Sequence, residues 1–170
     1  SILSICEDLM HRIFNDFTYS SGKTNINTSL DQIMENKCGV CQDFAHIAIC
    51  CLRSFGIPAR YVSGYIKTGN SSTNFIGGDA SHAWFSVYVP YFGWIDLDPT
   101  NNTYIQSEHI TLSYGRDYDD ISPIKGVTFG GGNSQMFVNV TVKETNNNNV
   151  EIKYIRDNKV IKINRDLITL

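Results

Sequence analysis

The sequence predicts an α+β fold in which helices come first and a largely antiparallel sheet follows them. Two observations predict this order. Apolar residues recur at helical spacing over residues 1–18 and 41–55, whereas from Ala59 onward they alternate with polar residues as in strands. The chain has 170 residues, which is enough for one domain with a sizeable hydrophobic core.

Three helices are expected before the sheet. The first covers residues 1–18, and the second is a short helix for which Ser29 supplies the cap. The third begins at or beside Cys41, because Gly39 permits an unusual backbone turn just before it. Gly56 supplies the C-terminal stop of this third helix.

The strands are predicted from alternation and from the turn residues between them. Residues 90–93 read as a turn, so the segments on either side of it form a hairpin. The expected strands are residues 60–66, 80–89, 94–98, 137–142 and 150–162, the last with room for a hairpin around 157–158.

The amino-acid composition argues against some classes of binding partner. The net charge is -3 and 42% of residues are hydrophobic, so the chain lacks the basic surface that nucleic acids and anionic membranes require. No apolar run approaches the roughly 18 residues of a membrane span. The five cysteines are an odd number without regular spacing, which favours reduced thiols over a disulfide framework. With no secretory signal at its start, the chain is expected to be cytoplasmic.

Three residues form a candidate catalytic set: Cys41, His82 and Asp98. A cysteine is a good nucleophile only as its thiolate, and a helix N-terminus and a neighbouring imidazolium both lower a thiol pKa. The helix prediction places Cys41 at such an N-terminus. A third group must then orient the imidazole, and Asp98 is the candidate.

The hairpin makes the pairing of His82 with Asp98 a matter of register. If residues 89–93 form a five-residue loop, Ser86 faces Asp96 and His82 lies diagonally next to Asp98 on the same face. A loop of even length would put the two side chains on opposite faces. Asp96 shares the parity of Asp98 and therefore competes with it.

Several segments, in this order, resemble the bacterial transglutaminase-like family. The resemblance extends from about Phe17 to Val142, and the independent motifs make it specific. The matching segments are residues 39–46 (GVCQDFAH), 56–65 (GIPARYVSGY), 81–84 (SHAW), 98–101 (DPTN) and 115–123 (GRDYDDISP), with Gly126 and Gly130–Gly132 further on.

This resemblance implies a papain-like fold and a cysteine peptidase, amidase or acyltransferase. Carried over by motif, Cys41 is the nucleophile, His82 the general base and acid, and Asp98 the orienting residue. The family forms a thioester acyl-enzyme from an amide and passes the acyl group to water or to an amine. The implied partner is a peptide or protein substrate, with no cofactor and no metal. Residues 1–170 would be a single catalytic domain, a fragment without the β domain that precedes it in related chains.

An oxyanion hole is also required by this chemistry. Backbone N–H groups at the helix start, including that of Cys41, are suitable donors. Tyr19 is the candidate for a side-chain donor from upstream.

Other interpretations of the same residues stay open at this point. Cys41 could be a buried structural thiol, or the chain could be a non-catalytic peptide-binding module on the same fold. Cys38 and Cys41 form a Cys-x-x-Cys pair, which would suit a redox motif or half a zinc site. His46 is expected to be a satisfied buried histidine, because it turns away from the Cys41 face of its helix. His11 and His109 carry no motif support and are expected to be structural or solvated.

Overall fold

The computed structural model describes residues 1–25, 28–67, 75–78 and 81–122, together with the backbone of three further strands within residues 142–166. Among these residues, none of the helices is both long and apolar enough to pass through a bilayer.

The three predicted helices are present. They are α1 (Ile2–Asp16), α2 (Leu30–Asn36) and α3 (Cys41–Ser54). Ser29 caps α2 as expected: its hydroxyl accepts from the Gln32 N–H at 3.3 Å, and the Gln32 side chain accepts from the Ser29 N–H at 3.2 Å. Gly56 follows α3 with a φ of 72°, the left-handed conformation that ends helices.

Gly39 is needed for a different reason from the one predicted. It lies in a short strand without a positive φ, so the expected unusual turn is wrong. A side chain at this position would bring a Cβ to 2.8 Å from Asp43 Oδ2. That carboxylate accepts hydrogen bonds from the Val40 N–H (2.9 Å) and the Thr24 hydroxyl (2.7 Å). Gly39 therefore makes room for the side chain that caps the start of α3.

Seven strands precede residue 116: β1 (Thr18–Tyr19), β2 (Cys38–Gly39), β3 (Ala59–Ile66), β4 (Ser81–Val89), β5 (Gly93–Asp98), β6 (Thr103–Tyr104) and β7 (His109–Gly115). Five of them form the antiparallel main sheet, in the order β6-β5-β4-β3-β7. The predicted hairpin is β4 and β5, whereas β6 and β7 were not predicted. A parallel pair, β1 and β2, lies beside the start of α3.

A second antiparallel sheet comprises β8 (Val142–Glu144), β9 (Asn149–Arg156) and β10 (Lys159–Asp166). The hairpin predicted within residues 150–162 is confirmed, since β9 pairs with β10 from Arg156 and Lys159 outward. The strand predicted at residues 137–142 lies outside the described residues except for its last position.

One face of β4 forms the core against the helices. Ala83, Phe85 and Val87 are buried in a single cluster with apolar residues of α1 and α3. Trp84 points to the other face and is also fully buried. The alternation predicted for this strand is therefore confirmed, and α3 is held rigidly against the sheet that carries His82 and Asp98.

Gly64 is the tightest point of the sheet near these residues. It pairs with His82 on β4, and a Cβ here would overlap the Ile110 carbonyl oxygen and the Trp84 ring. We expect Gly64→Ala to destabilise the fold by about 1–3 kcal/mol, the usual cost of overpacking. Urea unfolding measures this effect, with Ser63→Ala on the same strand as the control. Equal stability of the two variants would contradict the prediction.

Candidate active site

Cys41 is the first residue of α3. Its N-cap, Val40, has extended backbone and no side-chain cap bond, and the thiol is buried with 8% of the residue exposed. All five cysteines are free thiols. The sulfur lies at the positive end of a 14-residue helix, where a negative charge is stabilised.

The hairpin register brings His82 and Asp98 together. Val89 pairs with Gly93 and Ser86 with Asp96, so the loop is residues 90–92 and not the expected five residues. Its odd length keeps the register that the pairing of His82 with Asp98 requires. His82 Nε2 lies 2.8 Å from Asp98 Oδ2, and both side chains are fully buried. Asp96, the competing carboxylate, accepts a hydrogen bond from the Trp84 indole instead, at 3.3 Å.

The Asp98 carboxylate accepts five hydrogen bonds. Its Oδ2 atom faces His82 Nε2 (2.8 Å), His109 Nε2 (3.1 Å) and Asn101 Nδ2 (2.7 Å). Its Oδ1 atom accepts from the backbone N–H groups of Thr100 (2.9 Å) and Asn101 (3.3 Å). Burial alone would raise the pKa of Asp98, but the charge of His82 and these hydrogen bonds hold it well below its usual range.

The same contact with Asp98 favours the protonated, imidazolium form of His82. Burial alone would lower its pKa, but the charge and hydrogen bond of Asp98, followed by the Cys41 side chain, raise the pKa of His82 to about 10. The Nε2 atom is engaged with Asp98. The other ring nitrogen, Nδ1, is buried and makes no hydrogen bond to a described residue. It is therefore available to the Cys41 side chain, which contributes to the raised pKa of this ring.

Residues 75–78 pack against this ring and help to bury it. The Ile76 N–H donates to Asn101 Oδ1 at 2.8 Å, and the Ile76 carbonyl accepts from Asn101 Nδ2 at 3.2 Å. Gly77, with a φ of 94°, then fits against the imidazole, where a Cβ would come within 2.6 Å of His82 Nδ1. A larger residue at Gly77 would be strained and would displace the ring.

Tyr19 and Tyr61 are two phenols close enough to Cys41 for its side chain to affect their pKa values. Burial raises the pKa of both, and the charge of Cys41 raises both further. Tyr19 is on β1, where it pairs with Gly39, two residues before Cys41, and its ring packs edge-on against Phe44. The structure therefore holds Tyr19 beside the start of α3.

The remaining histidines differ in their surroundings. His46 is half-buried, accepts a hydrogen bond from the Tyr118 N–H at 3.2 Å, and has its pKa lowered by burial. It is the satisfied histidine that the sequence predicted. His11 is exposed and contacts Asn102. His109 is structural rather than solvated: it is buried against Asp98, a contact that no sequence motif indicated.

Among the described residues, His82, Asp98 and His109 are the group that could offer ligand atoms to a metal, all within 4.8 Å of one another. Their hydrogen bonding argues against a cation. The Ile76 backbone fixes the orientation of the Asn101 amide, so its NH₂ group must face Asp98. Oδ2 already faces three nitrogen donors, which leaves no lone pair for a metal. The cluster is a hydrogen-bond network.

The fold and this site define a class of protein that comparisons also identify. Residues 4–99 match the model of the transglutaminase-like superfamily. The chain belongs to this superfamily, which its papain-like arrangement of helices and antiparallel sheet supports.

The similar proteins are bacterial. An uncharacterized protein of Mycobacterium tuberculosis is 43% identical in an alignment 148 residues long that covers 83% of this chain and 47% of the relative. A protein-glutamine gamma-glutamyltransferase of Pseudomonas aeruginosa is 35% identical over 74 residues, 41% of this chain and 11% of that protein. A solved structure from Cytophaga hutchinsonii, described as a "putative cysteine protease", has 32% identity and a TM-score of 0.60 over 71% of this chain and 38% of its own. The chain thus spans about half the length of the curated relatives that match it over most of its residues.

The His82–Asp98 pair makes the stability of the fold depend on pH in both the acidic and the alkaline range. Asp98, with its lowered pKa, stabilises the fold above the unfolded value of about 3.9, and this contribution is lost as pH falls below it. His82 has a raised pKa, so its contribution is complete below about 6.5 and is lost as pH rises towards about 10.

We therefore expect the stability difference between the wild type and His82→Gln to shrink as pH rises from about 6.5 to about 10. Glutamine keeps a donor near the Nε2 position but does not titrate. Urea unfolding of both proteins across this range measures the difference. A difference that stays constant with pH would show that His82 carries no charge in the folded protein.

Proposed function

We propose that the chain is a thiol-dependent amide hydrolase or acyltransferase in which Cys41, His82 and Asp98 form the catalytic triad. One observation carries the proposal: a fully buried His82–Asp98 hydrogen bond beside a cysteine at a helix N-terminus. The dipole of α3 and the His82 imidazolium both favour a thiolate at Cys41, and the Asp98 carboxylate contributes by keeping His82 charged. Membership of the transglutaminase-like superfamily supports the same chemistry.

The first half of the reaction acylates the enzyme. The Cys41 thiolate attacks the carbonyl carbon of an amide, and a carbon–sulfur bond forms as the carbonyl oxygen becomes an oxyanion. The carbon–nitrogen bond then breaks, and the leaving nitrogen takes a proton from the His82 imidazolium. Asp98 keeps the ring oriented throughout and stabilises its positive charge.

The second half releases the acyl group. Neutral His82 takes a proton from water or from an amine, whose oxygen or nitrogen attacks the thioester. The carbon–sulfur bond breaks, and the thiolate and imidazolium are restored. The same residues serve both outcomes, so the acceptor that enters the site decides between hydrolysis and transfer.

The oxyanion is stabilised in this proposal by the Cys41 backbone N–H and by the Tyr19 hydroxyl. Helix N-terminal N–H groups have no partner within the helix and point outward. The position of Tyr19 on β1, beside Gly39, supports its role as the side-chain donor. We propose a peptide or protein as the substrate, because membership of the transglutaminase-like superfamily favours an amide acyl donor of this kind.

Cys41→Ala should abolish reaction with amide acyl donors and remove the fast site of iodoacetamide labelling at neutral pH, while the fold survives. Peptide mapping by mass spectrometry assigns each labelled cysteine. Cys38→Ala is the matched control, since Cys38 is a half-buried thiol three residues away that takes no part in the triad. Fast labelling that persists in Cys41→Ala, or that is lost in Cys38→Ala, would contradict the proposal.

The acyl donor assay uses glutamine-containing peptides with and without a primary amine. Mass spectrometry separates three products: glutamate from glutamine, the amine-linked peptide and the cleaved chain. Any of these products, if dependent on Cys41, supports the proposal. Binding of the peptides without any product would favour the non-catalytic binding module instead.

Asp98→Asn should slow neutral-pH alkylation of Cys41 by about 10-fold or more. The substitution removes the charge that raises the pKa of His82, and one pKa unit corresponds to a factor of ten. Burial would then favour the neutral ring, and the thiolate would lose its counter-charge. Alkylation rates at pH 7 for the wild type and Asp98→Asn measure the effect, with Asp96→Asn as the control. Equal rates for the wild type and Asp98→Asn would be inconsistent with an ion pair held by Asp98.

A further inference from the structure

We propose that His109 is a positioning residue for the triad: it is held as the neutral Nε2–H tautomer and locks the Asp98 carboxylate in the orientation that His82 requires. Its effect on reactivity rests on the proposed function, whereas its tautomer and its hydrogen bond to Asp98 are independent of that function. His109 is a buried polar group to which the mechanism above gives no role.

The tautomer follows from the two neighbours of the ring. The Gln106 backbone N–H lies 3.3 Å from His109 Nδ1, and a backbone amide is always a donor, so Nδ1 must be the acceptor. The ring proton is then on Nε2, which lies 3.1 Å from Asp98 Oδ2. If the His109 ring were an imidazolium, its Nδ1–H would point at the Gln106 N–H, and two donors would face each other without an acceptor. The backbone turn at Gln106 therefore fixes His109 as a donor to Asp98.

The ring is also held in place from its sides. Phe75 packs edge-on against it with the ring centroids 5.2 Å apart, and Trp84 does so at 5.5 Å. The side chain of His109 is fully buried at the Asp98 contact. A buried ring held by aromatic groups on its sides and by hydrogen bonds at both nitrogens has little freedom to reorient.

The sheet topology explains how the His109 N–H reaches the same carboxylate as His82. β3 has β4 on one side and β7 on the other, so Gly64 pairs with His82 and Ile66 pairs with His109. The two histidines reach the same carboxylate oxygen from different strands. Without His109, the Asp98 carboxylate keeps His82 and Asn101 on Oδ2 and two backbone N–H groups on Oδ1. The His109 N–H is the donor that reaches Oδ2 from β7, and it completes the set that defines one orientation of the carboxylate.

The experiment compares His109→Gln with His109→Leu. Glutamine places an amide N–H near the position of the imidazole Nε2 and retains the donor, whereas leucine fills similar space without one. The probe is iodoacetamide at pH 7, and the measurement is the alkylation rate of Cys41 by mass spectrometry. We expect His109→Gln to react within about threefold of the wild type. His109→Leu should react about 10- to 100-fold more slowly, as expected for a lost hydrogen bond to a charged group.

A spectroscopic readout separates positioning from packing. In the folded wild type at neutral pH, the ¹⁵N chemical shifts of His109 should identify the Nε2–H tautomer. The downfield proton of the His82–Asp98 hydrogen bond should be retained in His109→Gln and shifted or lost in His109→Leu. Thermal unfolding of the three proteins confirms that each is folded at the assay temperature. If His109→Leu is unfolded, the tautomer in the wild type and the His109→Gln rate decide the question.

The outcomes distinguish this inference from the proposed function. Slow alkylation of Cys41 in the wild type would overturn the proposed function, whatever the His109 variants show. Fast alkylation in the wild type and an unchanged rate in His109→Leu would overturn the positioning role alone. The positioning role would also fail if His109→Gln were as slow as His109→Leu, or if His109 carried its proton on Nδ1.

Discussion

The buried negative charge of Asp98 is the constraint on which the rest of the site depends. Removing an ionised carboxylate from water costs several kcal/mol unless partners replace the lost solvation. Asp98 is 0% exposed, and its replacement partners are five hydrogen-bond donors. Hydrogen bonds to a charged group contribute about 1.5–3 kcal/mol each, so this set is large enough to hold the charge. Because donors from β4, from β7 and from the residues after β5 all meet a carboxylate on β5, the carboxylate also ties these elements together.

The charge of Asp98 determines the state of its neighbours. It raises the pKa of His82 against a burial effect of the opposite sign, so the imidazolium is the stable form near neutrality. In the proposed mechanism, this positive ring is the counter-charge for a thiolate at the start of α3. A buried histidine without the carboxylate would be neutral and could not serve in this way. Asp98 thus acts on the N-terminus of α3 indirectly, through the charge that it maintains on His82.

Much of this arrangement was predictable from the sequence, because it depends on local patterns. The extent of α3 follows from the spacing of its apolar residues and from the glycine at position 56, where it stops. The meeting of His82 with Asp98 follows from the parity of one hairpin. A turn of odd length between two alternating strands is sufficient to put both side chains on one face.

The parts that could not be predicted depend on pairing between distant segments. β7 pairs with β3 across more than forty residues of sequence, and the register shifts between Ser63 and Gly64. No local pattern contains that information, so the position of His109 near Asp98 could not be predicted. The reason for Gly39 was missed for a similar cause: the contact is with the Asp43 carboxylate and involves no special backbone angle.

Asn101 shows how closely the site is connected to the segment that lies over it. One amide group donates to the Asp98 carboxylate at 2.7 Å and also bonds both backbone groups of Ile76. Residues 75–78 therefore cannot move away from His82 without breaking the bonds that orient this amide. Conversely, loss of the Asp98 charge would weaken the hold on Asn101 and, through it, on the backbone beside Gly77. The orientation of the carboxylate and the position of this segment are thus two consequences of the same set of hydrogen bonds.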